Sequence, residues 1–200
     1  MIAIVDYGAG NLASVVKAFR AVGADPRVVR KSSELASASG LVIPGVGHFG
    51  ATRALGDDWR SAVRTAIERE LPVLGICLGM QWLYQGSDEA PGVHGLGVFD
   101  ERIFHIKGDV KVPHVGWNAL RVARPSPLLT GIRDGEAVYF THAYAAPVAP
   151  DTLATTSHAT EFAAIVERAN VAGMQFHPEK SGAAGLRLLA NWVGGCSASA

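Results

Sequence analysis

The sequence is poor in the features that would assign it to several large classes of protein. Only two cysteines occur among 200 residues, Cys77 and Cys196, too few for a disulfide framework and in keeping with a reducing compartment. Cys and His do not pair at ligand spacing, so no metal site is expected. There is no Walker-type phosphate loop, and no cofactor is called for. An excess of one charge is also missing. The 18 Lys and Arg match the 18 Asp and Glu, which gives no attraction to nucleic acid or to an anionic membrane. No apolar run reaches the roughly 20 residues of a membrane-spanning helix. Met1 opens directly onto a strand-like run rather than a signal peptide, so a cytoplasmic location is expected.

What is present suits one domain over residues 1–200: 48% of residues are hydrophobic, enough for a proper core, with no internal repeat and no dividing linker. The small-residue tail 195–200 is expected to fray, with Cys196 a bystander in it.

The most informative stretch is Pro72-Val73-Leu74-Gly75-Ile76-Cys77-Leu78-Gly79-Met80-Gln81. A short apolar run reads as a buried parallel strand, and the residues from Met80 to Gln85 are compatible with a helix. Gly-x-Cys-x-Gly between them has the form of a nucleophile elbow, a turn so sharp that only glycine fits beside the strained residue. A helix N-terminus aimed at the sulfur would favour the thiolate. Against this stands the plainer reading of Cys77 as a small core residue.

A thiolate nucleophile needs a base, and that base an orienting group. Val171 to Phe176 reads as another strand, followed at once by His177-Pro178-Glu179-Lys180. Proline fixes the turn, so the Glu179 carboxylate can hold one imidazole nitrogen of His177 and leave the other for a thiol. The rival base His142 lacks a following carboxylate. His105 and His114 also lack a partner acid at a strand end and are read as structural or interface residues.

These motifs are similar to those of the class I glutamine amidotransferases, which carry a Cys-His-Glu triad in this order. Further motifs are Asp6-Tyr7-Gly8-Ala9-Gly10-Asn11-Leu12, Pro44-Gly45-Val46-Gly47-His48-Phe49, Val112-Pro113-His114-Val115-Gly116-Trp117-Asn118, Tyr139-Phe140-Thr141-His142-Ala143-Tyr144 and Lys180-Ser181. They narrow the resemblance to the glutaminase subunits of imidazole glycerol phosphate synthases. The resemblance implies a flavodoxin-like α/β fold, a mostly parallel central sheet with helices on both faces and a small antiparallel excursion. Successive strand–helix units point the same way. It implies Cys77, His177 and Glu179 as catalytic residues. Val46 and Gly47, together with the Leu78 amide, are implied as the oxyanion hole, in keeping with a glycine loop that lets backbone amides approach a substrate. Gly47, Gln81, Thr141, His142 and Ala143 are implied as contacts to L-glutamine, with alanine at 143 where the family often has Ser or Thr. Asn11, Trp117, Tyr139 and Lys180 are implied on the face that docks a (β/α)8 cyclase subunit. Ammonia from glutamine would pass to that subunit, forming imidazole glycerol phosphate and AICAR in histidine biosynthesis. A separate cyclase chain, hence a heterodimer, is expected. The resemblance also implies that the Pro44–Gly47 loop presents its donors only when the partner is bound.

The remaining elements follow the same reading. The opening strand, its Gly-x-Gly turn and the helix over residues 12–22 invite a dinucleotide site, but the third glycine position falls on Ala13. Strands are expected at 27–30, 41–43 and 137–144, a hairpin over 153–156 and 162–167, and a helix over 59–70. A closing helix over 183–193 is expected to place Leu186, Leu189 and Ala190 on one face. Alternative functions are a glutaminase for another ammonia-using synthase, a cysteine peptidase or γ-glutamyl hydrolase, and a non-catalytic binding module.

Overall fold

A computed structural model describes residues 1–198. The apolar runs of the first half form β1 (Ile2–Val5), β2 (Pro26–Val29), β3 (Gly40–Ile43) and β4 (Val73–Ile76). Every residue of β1, β3 and β4 is buried, as strands covered on both faces must be. Between them lie α1 (Leu12–Ala21) and α2 (Asp57–Glu68), and after them α3 (Leu78–Trp82). The Asn11 side chain caps α1 by accepting from the Ser14 amide. Gly23, at φ 81°, follows its end.

The second half is mainly antiparallel. It holds β5 (Phe104–His105), β6 (His114–Ala119), β7 (Arg121–Val122), β8 (Ala137–His142), β9 (Tyr144–Ala145), β10 (Thr152–His158), β11 (Thr160–Arg168) and β12 (Val171–Met174), closed by α4 (Gly182–Ala198). One eight-stranded sheet runs β2-β1-β3-β4-β12-β11-β10-β7. Its first five strands are mutually parallel, and β12 to β7 pair antiparallel. Two ribbons, β5–β9 and β6–β8, stand outside it.

Strand alternation divides the core. Ile4, Val42, Leu74 and Ile76 face α1 and α4, where Phe19 meets Trp192 edge-on at 5.8 Å between ring centroids. Ala3, Val5, Leu41, Ile43 and Val73 face α2 through Trp59 and Val63. Each fully buried large apolar side chain contributes on the order of 1.5–3 kcal/mol relative to exposure.

Three local expectations are corrected. The helix after the elbow stops at Trp82, because the carbonyls of Trp82, Leu83 and Tyr84 are taken by the amides of Leu96, Val98 and Gly97 instead of by further helical donors. In α4 the buried face is Ala184, Leu188, Leu189, Trp192 and Cys196, while Leu186 and Ala190 are exposed. The tail is not frayed through residue 198: α4 continues to Ala198 and buries Cys196 against Gly40 and the α4 core, leaving 199 and 200 outside the described residues. Burial raises the Cys196 thiol to about 12, which keeps it protonated.

Candidate active site

Strand β12 lies parallel to β4 with Met174 opposite Ile76, so the residues that leave the two strand ends emerge side by side. Such a crevice at the carboxyl ends of parallel strands is where open α/β sheets place their ligands. Cys77 donates its backbone N–H to Met174 O at 2.8 Å. It turns through φ 51°, ψ −107°, the left-handed side of backbone space that non-glycine residues avoid. The flanking glycines have steric reasons. A Cβ on Gly75 would stand 2.7 Å from the backbone of Met80, and one on Gly79 would overlap the Ile43 carbonyl. The elbow therefore forms, with Cys77 almost fully buried in its bend.

On the neighbouring strand end, Pro178 opens a tight 3-10 turn over Pro178–Lys180 with His177 as its cap. His177 Nδ1 lies 2.8 Å from Glu179 Oε1, both side chains buried. The other ring nitrogen, Nε2, is buried and holds no conventional hydrogen bond. Burial opposes the charged imidazolium, yet the nearby Cys77 sulfur and the Glu179 carboxylate outweigh it and raise His177 to about 10. Ser181 secures the turn by donating to His177 O at 2.6 Å and accepting from Tyr139 N at 2.9 Å.

The structure thus brings Cys77, His177 and Glu179 together. It also reaches Gln81, whose Nε2 donates to Tyr144 O at 2.9 Å and to Gln175 Oε1 at 3.1 Å. Thr141 lies in β8 opposite Val115, and the Ala143 carbonyl is engaged by the Ile106 amide at 3.0 Å. His142 is buried, with Nδ1 2.9 Å from Tyr144 O. Desolvation pushes it down to about 3, although that carbonyl opposes the fall. A ring held neutral this firmly, facing no carboxylate, is a framework residue rather than a base. His114 is buried between Phe140 and His158, and His105 lies against the Tyr144 ring.

The expected oxyanion hole is not assembled in this conformation. The Leu78 amide donates to Gly45 O at 3.3 Å. A carbonyl therefore occupies the donor that an oxyanion would need, and Val46 and Gly47, the latter at φ 104°, sit on the exposed side of the same loop. One expectation is reduced. With only five residues, α3 offers the sulfur little helix dipole.

Beside the triad turn, Trp117 is 59% exposed and meets the Tyr139 ring edge-on at 6.0 Å, while Lys180 Nζ stands 5.8 Å from that ring. Asn11 is exposed at the start of α1, which packs against the Pro178–Lys180 turn. Three residues at the site went unassigned in the sequence. Gln175 donates to Cys77 Sγ at 3.8 Å, and a polar residue at the end of an apolar run was its available signal. Ser181 clamps the triad turn. The Tyr7 hydroxyl, buried without a partner, packs against Gly45, and its pKa is raised by desolvation and then by Cys77.

The chain is also similar to known proteins. The family model for class-I glutamine amidotransferases matches residues 3–194. The imidazole glycerol phosphate synthase subunit HisH of Methanothermobacter thermautotrophicus is 46% identical over 194 residues, covering 96% of this chain and 98% of that protein. The subunit of the same name from Geobacillus kaustophilus is 45% identical over 204 residues, covering 97% and 96%. Among solved structures, one described as a glutamine amidotransferase superposes with a TM-score of 0.77 at 19% identity, covering 98% of this chain and 100% of that one. The PurLQS structure from Thermotoga maritima gives 0.76 at 17% identity over 96% and 97%. At these identities the two structures speak for the fold alone.

Proposed function

The chain belongs to the class-I glutamine amidotransferases, and we propose that it acts as the glutaminase subunit of an imidazole glycerol phosphate synthase in histidine biosynthesis. It hydrolyses L-glutamine and hands the ammonia to a (β/α)8 cyclase subunit, bound as a heterodimer through the face bearing Asn11, Trp117, Tyr139 and Lys180. Residues 1–200 form one glutaminase domain. The single observation that carries the chemistry is the strained Cys77 buried against the His177–Glu179 pair.

In this reading His177 takes the Cys77 thiol proton at Nε2, and the sulfur attacks the side-chain amide carbon of glutamine. The tetrahedral intermediate collapses with the C–N bond breaking, and His177 gives its proton to the departing ammonia. Water, deprotonated by His177, then cleaves the glutamyl thioester to glutamate and frees Cys77. Glu179 holds Nδ1–H so that Nε2 faces the reaction throughout. Gln81 gives its NH2 to Tyr144 and Gln175, which leaves its carbonyl oxygen for the ammonium of an α-amino acid.

The contact between Leu78 N and Gly45 O gives the resting state a reason to be slow. An oxyanion can use the Leu78 amide only after the Gly45 carbonyl turns away, and one missing donor costs on the order of 10²–10³ in rate. Docking of the cyclase beside the loop supplies the occasion for that rearrangement. Ammonia release from glutamine, measured for the chain alone and with a cyclase subunit carrying its ribonucleotide ligand, tests the reading. A rate raised at least severalfold by the loaded cyclase supports it. A rate indifferent to the cyclase overturns the named partner, and no turnover under either condition overturns the enzyme.

A further inference from the structure

The triad leaves one fully buried polar side chain beside the nucleophile without a role. Gln175 lies one residue beyond β12 and two before His177, with none of its surface exposed. Its Nε2 stands 3.8 Å from Cys77 Sγ, and its Oε1 accepts from Gln81 Nε2 at 3.1 Å. The same Gln81 nitrogen donates to Tyr144 O at 2.9 Å.

That last contact settles the sense of both amides. A backbone carbonyl can only accept, so Gln81 must turn its NH2 toward Tyr144. The same NH2 reaches Gln175, which must answer with its oxygen. Gln175 then has only its own NH2 to present to the sulfur. Reversing either amide would set two acceptors or two donors against each other in a site closed to water, a loss that buried polar groups do not tolerate. The Tyr144 carbonyl takes no ladder bond from β5: Tyr144 stands opposite His105, and the Ile106 N–H goes to Ala143 O instead. A main-chain acceptor thus dictates, through two side chains, which atom faces Cys77.

We propose that Gln175 is a positioning residue for the nucleophile, donating an N–H···S hydrogen bond that favours the thiolate and holds the sulfur between itself and His177. A hydrogen bond made to the charged form of a group favours that form. The His177 ring stands close to the same sulfur and exchanges its proton, whereas Gln175 donates to it without exchanging one. The inference rests on Cys77 being the nucleophile of the proposed glutaminase.

The test compares alkylation of Cys77 by iodoacetamide across pH in the full-length wild type and in Gln175→Met, which keeps the length and loses the donor. Reaction is followed by mass on the Cys77 peptide, so that Cys196 does not confuse it. The expected result is a profile displaced upward by about one pH unit, the size of one hydrogen bond to a charged group. On its rising limb the rate then falls about tenfold, with the melting temperature little changed. Gln81→Met releases the other end of the ladder and is expected to displace the profile the same way by less. Should Gln175→Met not fold, Gln81→Met decides alone. A profile that coincides with wild type in the folded variants overturns the proposal, because a space-filling glutamine would leave it unmoved. A Cys77→Ala chain that still hydrolyses glutamine would remove the nucleophile reading itself. Loss of hydrolysis in Cys77→Ala beside an unmoved Gln175→Met profile removes only the role of Gln175.

Discussion

A non-glycine residue held at positive φ costs on the order of 1–3 kcal/mol, and Cys77 bears that strain where its sulfur meets the His177 ring. The pair with Glu179 then sets the tautomer. Glu179→Gln keeps the size of the side chain but no longer enforces Nδ1–H, and steady-state kinetics should show kcat lower by at least about a hundredfold with the fold intact. The imidazolium raised to about 10 also has a pH consequence. Its proton is the one that ammonia carries away, so acylation should persist through neutral pH and fall as pH rises through about 10, read from single-turnover ammonia release. At this scale the sequence was largely legible, because Gly-x-Cys-x-Gly and His-Pro-Glu encode local geometry within a few residues. Gln175 and Ser181 were not, since their partners Cys77 and Tyr139 lie far away in the chain.

At the scale of elements, the elbow depends on β4 and α3 passing through the same small volume. Gly79→Ala would drive its methyl into the Ile43 carbonyl of β3. Backbone cannot yield there, so denaturant unfolding should show a loss of more than about 2 kcal/mol. The ribbon β6–β8 carries a second predicted behaviour. His114, lowered to about 4 by burial and then by His158, and His142, lowered to about 3, are both kept neutral in the fold. Their unfolded values lie near 6.5, so below that pH the unfolded chain binds protons that the folded chain refuses. The stability of their neutral burial is therefore complete above about 6.5 and is lost as pH falls toward 4 and then 3. His114→Phe should flatten the fall in melting temperature over the upper part of that window. Most strands were read within one or two residues from their apolar runs. The length of α3 and the buried face of α4 were misread because tertiary contacts decide them: the 95–98 segment takes the α3 carbonyls, and Phe19 of α1 selects Trp192.

Across the whole molecule, sheet order is what turns two distant motifs into one site. Strand β12 inserts beside β4 rather than at an edge, and no local pattern announces that choice. The resemblance to glutamine amidotransferases joined the two motifs as a triad but left the strand order open, and the occupied Leu78 amide became visible only in three dimensions. The same frame presents exposed Trp117 and Lys180 on either side of the half-buried Tyr139, beside the turn that carries His177 and Glu179. Trp117→Ala removes the largest apolar surface there, and calorimetric titration with the cyclase subunit should show binding weaker by about tenfold or more, the scale of an interface anchor. The central claim, that Cys77 carries the glutamyl group, is met most directly by acid-quenching the cyclase-bound chain during glutamine turnover and locating any adduct by peptide mass. The account predicts a glutamyl thioester on Cys77, absent from Cys77→Ala and accumulating when thioester hydrolysis is slowed. Turnover without that adduct, or with the glutamyl group on Cys196, would contradict it.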